Sequence, residues 1–291
     1  MRDYVITCCS TVDLNREALD KINVPFLCFT FTANGETYKD DYGLSYPIDK
    51  FYKDIAEGMQ PTTSQINAET YKEFFEYFLK EGKDVLHLTL SSGISGSFNS
   101  ANIAANMLNE EYESQVHVLD SLSASAGFGL LIKMVKDNQD NGMSLEENKQ
   151  WIIENRTKVA HLFFSSDLSS FIRGGRISKT AGLVGQALQI CPVMCVTEEG
   201  KLEVIEKVRT KKKAMKTVVD RMLAEVGPDY DGYVISGNSA CLEDSQKLVE
   251  MVKENFPKIK EVEMYDIGTV IGSHTGPGTV TLVYFGKKRP A

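Results

Sequence analysis

The stretch DVLHLTLSSGISGSFNSA, residues 84–101, runs from an apolar segment through serines and glycines into an amphipathic segment. Residues 84–90 have the length and apolar character of a buried β-strand, and apolar side chains recur at helical spacing from Ile94 to Leu108. A strand that leads directly into a helix is the repeating unit of a parallel sheet covered by helices. The stretch therefore predicts an α/β fold.

Similar units flank this stretch in the first half of the chain. Apolar runs predict strands at residues 4–8, 24–31 and 115–120. Helices are predicted over 47–57, between the N-cap Asn67 and Gly82, and in two segments across 122–156. We therefore expect a first domain over residues 1–158, with a mainly parallel sheet flanked by helices.

The pattern changes from residue 159 onwards. The runs CPVMCVT and KLEVIEKV are joined by the turn-like EEGK at 198–201, which predicts an antiparallel hairpin. Further elements are predicted as strands at 159–164, 230–236, 260–266 and 279–285, and as a helix near 176–189. We expect a second α/β domain over residues 159–291, with a mixed sheet and helices.

Composition excludes several classes of function. The net charge is −8, from 32 basic and 40 acidic residues, so no broad basic field favours nucleic acid or an anionic membrane. No apolar run approaches the roughly 20 residues of a membrane helix, and the N-terminus lacks the apolar core of a signal peptide. The six cysteines show neither CxxC pairs nor a spacing shared with histidines. We expect a cytoplasmic protein with reduced thiols, no transmembrane segment and no metal site.

The serine loop, residues 91–96, lies where the predicted strand meets a helix that we expect to begin near Ser95. The free N–H groups and the positive dipole end of a first helical turn favour an anion at such a junction. Serine hydroxyls can donate to a carboxylate there, and Gly93 and Gly96 let a ligand approach the backbone. The same serines can instead cap the helix with no ligand, and the local pattern leaves both interpretations open.

An enzymatic interpretation of the same loop is also available. GISGS resembles the GxSxG turn that presents the nucleophile of α/β-hydrolases, with Ser95 as the nucleophile. Asp266 and His274 are nominal partners for a triad. However, Ser97 occupies the position where the second glycine allows the tight turn. A serine hydrolase acting on acyl esters is therefore the alternative function.

A second polar segment, PTTSQIN at residues 61–67, precedes the helix capped by Asn67. Thr63, Ser64 and their neighbours supply hydroxyl and amide donors, although ordinary loop and capping chemistry explains them equally well. Two polar segments at neighbouring strand ends can converge on one ligand at the carboxyl edge of a sheet.

Two later segments also carry candidate groups. IGSHTGPG, residues 271–278, is predicted to be a tight loop with His274 at its centre, where the imidazole can donate to an anion or transfer a proton. FIRGGRIS, residues 171–178, places Arg173 and Arg176 beside two glycines. Either arginine can reach an anion or pair with an acidic neighbour. The other three histidines lie within predicted strands, where we expect structural roles.

Taken in order, these segments resemble the DegV family of bacterial fatty-acid-binding proteins over nearly the whole chain. The matching motifs are CSTVDL (9–14), TTSQ (62–65), SSGISGSFNSA (91–101), VLDS (118–121), FIRGGRIS (171–178), RTKKKAM (209–215) and GSHTGPG (272–278). Two positions depart from the family pattern. Cys9 replaces the usual aspartate of the opening motif, and Ile66-Asn67 replaces a proline followed by a small residue.

The resemblance implies a two-domain carrier, not an enzyme, that holds one long-chain fatty acid between its domains and needs no cofactor. By the family pattern, Thr63 and Ser95 match the hydroxyl ligands of the carboxylate, and His274 matches the histidine that closes over it. Ser64, Arg173 and Arg176 are further candidates, and the sequence does not show which arginine faces the ligand. A partner fatty acid kinase would phosphorylate the presented carboxyl group to an acyl phosphate for phospholipid synthesis. A phosphoryl-transfer subunit that uses His274 is a third possibility.

Overall fold

The computed structural model describes residues 3–178, 190–287 and 289. Its elements up to residue 158, apart from two short 3-10 helices at Ser10–Val12 and Arg156–Lys158, are β1 (Tyr4–Cys9), α1 (Arg16–Lys21), β2 (Phe26–Leu27), β3 (Thr30–Ala33), β4 (Glu36–Lys39), α2 (Ile48–Ala56), β5 (Thr62–Ser64), α3 (Ala68–Lys80), β6 (Asp84–Thr89), α4 (Ser97–Glu111), β7 (Val116–Asp120), α5 (Ser125–Asp140) and α6 (Leu145–Asn155).

The described elements from residue 159 are β8 (Val159–Ser165), α7 (Ser169–Arg173), β9 (Ile190–Val196), β10 (Leu202–Arg209), α8 (Lys211–Val226), β11 (Val234–Asn238), α9 (Leu242–Asn255), β12 (Glu263–Asp266), α10 (Thr269–Thr275) and β13 (Thr279–Phe285). The helix predicted near 176–189 lies largely outside the described residues. Its described part, 176–178, is not helical.

The first sheet is parallel throughout, with strand order β2-β1-β6-β7. Its central strand β6 is the apolar run of the opening stretch, and Val85, Leu86 and Leu88 are fully buried because helices cover both faces. The helix predicted after Asn67 is also confirmed, since the Asn67 side chain accepts a hydrogen bond from the Thr70 N–H. The α/β class and the parallel sheet are therefore as predicted.

The run at residues 24–31 does not form one strand. Its first part is β2, which pairs with β1, and its second part belongs to β3 in a separate antiparallel sheet of order β4-β3-β5. The break occurs because the chain leaves the parallel sheet at Cys28, and Ser10 Oγ accepts the N–H of Phe29. This small antiparallel sheet was not predicted, and it incorporates Thr62–Ser64, for which we expected a loop.

The second large sheet is mixed, with strand order β10-β9-β8-β13-β11-β12. The predicted hairpin is β9–β10, and only the β11–β12 pair is parallel among its described pairings. Helices α8 and α9 pack against it, as does α5 from the first half of the chain. The strands of the two large sheets separate along the chain at residue 158, while the division into domains 1–158 and 159–291 stays a prediction.

The segment 271–278 was predicted to be a loop, but its first part is helical, because residues Thr269–Thr275 form helix α10. Gly272 N–H donates to Gly268 O at 2.7 Å, and Gly276 N–H donates to Gly272 O at 2.8 Å, so the glycines take part in helical hydrogen bonds. Gly276 then ends the helix with φ of 66°, in the left-handed region that glycine adopts easily. His274 consequently lies in the last turn of a helix.

Candidate functional site

A cavity of about 320 Å³ lies between the parallel sheet and the mixed sheet. Its walls come from β5, the serine loop, the start of α5, strands β8 and β13, and helix α10. Most of the wall is apolar, and the apolar side chains that form it include those of Phe29, Phe163, Phe171, Val196, Leu202, Val270 and Val283. Polar side chains also line it, and we call four of them the polar cluster: Thr63, Ser95, Arg176 and His274.

The side chains of Thr63 and His274 are in direct contact on the cavity wall, although the residues lie 211 positions apart in the chain. Thr63 Oγ1 is 2.8 Å from His274 Nε2. Strand β5 positions Thr63, and because side chains alternate along a strand, its neighbour Ser64 is exposed and does not line the cavity. The structure thus brings Thr63 into the polar cluster and leaves Ser64 outside it.

His274 is half-buried and its imidazole is neutral at neutral pH. Burial lowers its pKa to about 4, and the charges of Arg176 and Arg173 act in the same direction. Its Nδ1 atom is buried without a hydrogen-bond partner among the described residues. A Cβ atom on Gly174 would lie 2.2 Å from Nδ1, so this close packing requires glycine at that position. The FIRGGRIS segment therefore contributes a backbone contact as well as an arginine.

Ser95 lies just before helix α4, which begins at Ser97 with Gly96 as its N-cap residue, close to the predicted start. Its Oγ atom accepts the N–H of Ser97 at 3.2 Å and lies 3.0 Å from Ser97 Oγ. The hydroxyl is half-buried and lines the cavity, so it can turn to a ligand at the expense of a local bond. Neither Ser95 nor Asp266 is hydrogen-bonded to His274, so the structure does not assemble the nominal triad.

The serine loop is also fixed from the opposite half of the chain. Ser91 Oγ donates to Gly200 O at 2.8 Å, in the turn between β9 and β10. A Cβ atom on Gly93 would lie 2.7 Å from the backbone of Glu199 and Gly200, so the two turns are in close contact. The glycines that suggested ligand access from sequence therefore also serve chain packing.

The two candidate arginines occupy different positions. Arg176 is half-buried, lines the cavity and donates from Nε to Ile94 O at 3.2 Å. Burial lowers its pKa from the ordinary value. Arg173 is exposed, donates to Ser170 Oγ at 3.1 Å and does not line the cavity. Of the two arginines, Arg176 is thus the one on the cavity wall.

Sequence reasoning did not single out the other polar residues of the wall, which are Gln65, Ser125, His161, Thr275, Thr279 and Thr281. Gln65 lies beside Gly96 and donates to Ser100 Oγ at 3.2 Å. His161 was expected to be structural, and its Nδ1 atom is 2.9 Å from Val159 O, although its side chain also lines the cavity. Burial lowers its pKa well below the ordinary value, so the ring is neutral. A strand histidine with an apolar neighbour on each side carries no sequence signal for a cavity wall.

Two other features bear on the class of site. Within residues 3–178, 190–287 and 289, no group of three histidine, cysteine or acidic side chains is placed to hold a metal ion. The described helices include none that is both long and apolar enough to cross a membrane.

Comparisons with known proteins agree with this architecture. Residues 4–287 match a family model described as "Uncharacterised protein, DegV family". A DegV domain-containing protein of Clostridium perfringens is 32% identical over 98% of both chains. Two solved structures superpose on this chain with a TM-score of 0.87 each. The first is a DegV family protein from Thermus thermophilus described by its fatty acid binding, which is 26% identical and covers 99% of this chain and 100% of its own. The second is a stearic acid-binding protein from Eubacterium ventriosum, which is 25% identical and covers 97% of this chain and 98% of its own.

Proposed function

The chain belongs to the DegV family, and on that premise we propose that it binds one long-chain fatty acid, with the acyl chain in the apolar cavity and the carboxylate at the polar cluster. The observation that carries this proposal is the Thr63–His274 contact with Ser95 and Arg176 on the wall of an otherwise largely apolar cavity. The relatives described as fatty-acid-binding proteins support it.

The cavity wall suits an acyl chain energetically. A chain of roughly 14 methylenes gains about 0.8 kcal/mol for each one removed from water, or about 11 kcal/mol before association and ordering costs are subtracted. Hydrogen bonds to a charged group add about 1.5–3 kcal/mol each. The tail therefore supplies most of the affinity, and the polar cluster decides which end of the ligand lies there.

The polar cluster offers several donors to a carboxylate. Thr63 and Ser95 have hydroxyl groups, and Arg176 adds a positive charge that is only half-exposed. A bound carboxylate would also favour the imidazolium form of His274, so we expect its pKa to rise from about 4 when the ligand binds.

We also propose that the protein presents the carboxyl group to a partner fatty acid kinase for acyl phosphate formation. Gly96 and Gln65 line the cavity beside the polar cluster and are themselves exposed. The carboxylate would therefore lie close to the protein surface while the tail is buried. In this proposal the protein carries the substrate, and the kinase performs the phosphoryl transfer.

Native mass spectrometry of the protein purified from bacteria is the first test. We expect a non-covalent adduct with the mass of a long-chain fatty acid, which denaturation releases.

The second test is Thr63→Val, which removes one hydroxyl at nearly constant volume and should weaken fatty acid binding roughly 10- to 100-fold by calorimetry. The matched control is Thr32→Val in the same small sheet, whose hydroxyl contacts Thr37 and does not line the cavity. Equal affinity of wild type and Thr63→Val would remove Thr63 from the carboxylate site.

A further inference from the structure

The start of helix α10 is held by side chains from the first half of the chain. Tyr52 Oη donates to Ile267 O at 2.7 Å, and Asp13 Oδ1 accepts the N–H of Gly268 at 3.0 Å. Asp40 Oδ1 accepts both the N–H and the hydroxyl of Thr269, at 3.1 and 2.7 Å. The helix that carries His274 is therefore fixed at its first residues by groups more than 200 residues away in sequence.

Asp13 and Asp40 form a buried carboxyl pair. Their exposed fractions are 3% and 2%. A Cβ atom on Gly268 would lie 2.8 Å from Asp13 Oδ1 and 3.2 Å from Asp40 Oδ1, so both carboxyl groups converge on this glycine. Asp13 Oδ2 also accepts the hydroxyl of Ser125 at 2.5 Å, whereas Asp40 Oδ2 is buried without a partner among the described residues.

Placing two carboxyl groups together in the interior is unfavourable. Burial raises the pKa of both, and the proximity of Asp40 raises that of Asp13 further. Asp266 also raises the pKa of Asp13, and the pair in turn raises the pKa of the neighbouring acids Cys9, Cys28, Tyr42 and Tyr52. The pair therefore lies in an acidic, buried environment, and packing alone would favour apolar side chains there.

Helix α10 connects this pair to the polar cluster over a short, stiff distance. From Thr269 to His274 the helix rises about 7.5 Å, at about 1.5 Å per residue. Its axial hydrogen bonds, from Gly272 to Gly268 and from Gly276 to Gly272, are 2.7 and 2.8 Å long. A Cβ atom on Gly272 would lie 2.5 Å from Tyr52 Oη, so the helix also lies against α2. A shift at its start would therefore move His274 relative to Thr63.

We propose that Asp13 and Asp40 are positioning residues for His274. They bind the first N–H groups of α10 and thereby place the helix so that His274 Nε2 lies within hydrogen-bond distance of Thr63 Oγ1. The expected effect on fatty acid affinity rests on the proposed function, whereas the positioning of His274 does not. The burial of His274 and its contact with Thr63 are thus maintained from the opposite end of the helix.

The test compares Asp40→Ala with Asp40→Asn, using the pKa of His274 measured by NMR on the protein without ligand. Asp40→Ala removes the acceptor, so the helix start should loosen, His274 should become hydrated, and its pKa should rise from about 4 towards its ordinary value of 6.5. Asp40→Asn keeps an acceptor oxygen and should restore a pKa close to that of wild type. Fatty acid affinity should fall about tenfold in Asp40→Ala and much less in Asp40→Asn.

Asp84→Asn is the control, because Asp84 Oδ1 accepts the N–H of Gln115 at the start of β6, away from α10. Should Asp40→Ala fail to fold, Thr269→Val removes only the hydroxyl that donates to Asp40, and a smaller rise of the His274 pKa is expected. An unchanged His274 pKa in the folded variant would overturn the positioning role. Absence of fatty acid binding by wild type would instead refute the proposed function while leaving the NMR result interpretable.

Discussion

The serine loop and helix α10 line the same cavity, yet different kinds of contact hold them in place. In the serine loop, hydroxyl groups bind neighbouring backbone, as Ser95 Oγ does with the Ser97 N–H. Two bonds also join the loop to the second half of the chain, from Ser91 Oγ to Gly200 O and from Arg176 Nε to Ile94 O. In α10, the first N–H groups are bound by Asp13 and Asp40. The serine loop therefore combines local hydrogen bonds with distant ones, whereas the first N–H groups of α10 are bound by distant side chains.

This difference predicts where a substitution will have the larger effect on stability. Gly268→Ala would place a Cβ atom against the two buried carboxyl groups, which have little room to move. We expect the free energy of unfolding to fall by about 2–3 kcal/mol, the scale of an overpacked core, as measured by urea denaturation.

Gly232→Ala is the matched control for that variant. Its Cβ atom would meet the hydroxyl end of Tyr230, which is only partly buried, so the ring can move at the expense of its hydrogen bonds with Tyr233 O and the Phe285 N–H. We expect a clearly smaller loss of stability. Equal losses in the two variants would show that the carboxyl pair does not hold the start of α10 rigidly.

In the serine loop, Ser91→Ala should have a smaller effect. It removes the donor to Gly200 O and the acceptor of the Gly93 N–H, so we expect a loss of about 1–2 kcal/mol in the same assay. The exposed Ser92 provides the control, because Ser92→Ala leaves its N–H free to donate to Asp120 as before. A loss larger than that of Gly268→Ala would reverse the comparison between the two regions.

The same contrast explains what the sequence could predict. The junction of β6 with the serine loop and α4 was predicted because its signals are local: an apolar run, then serines and glycines, then helical periodicity. Helix α10 was predicted as a loop because it has few residues, contains glycine, and receives its capping groups from Asp13 and Asp40. No local pattern in residues 269–275 reveals those partners.

The residues of the candidate site also divide into those that the local sequence revealed and those that required the tertiary structure. The hydroxyl of Ser95 and the imidazole of His274 stood out as polar groups beside glycines, and the structure places both on the cavity wall. The choice between Thr63 and Ser64 required knowing that Thr62–Ser64 is a strand, which depends on pairing with β3. The choice of Arg176 over Arg173 required the position of the turn at Gly174 and Gly175. Both are consequences of tertiary contacts.

A crystal structure of the protein with bound stearate tests the central claim most directly. Our account predicts one stearate in the cavity, with a carboxylate oxygen within hydrogen-bond distance of Thr63 Oγ1 and Ser95 Oγ and the acyl chain against Phe163 and Val283. A stearate bound outside this cavity, or one inside it with its methyl end at His274, would contradict the account.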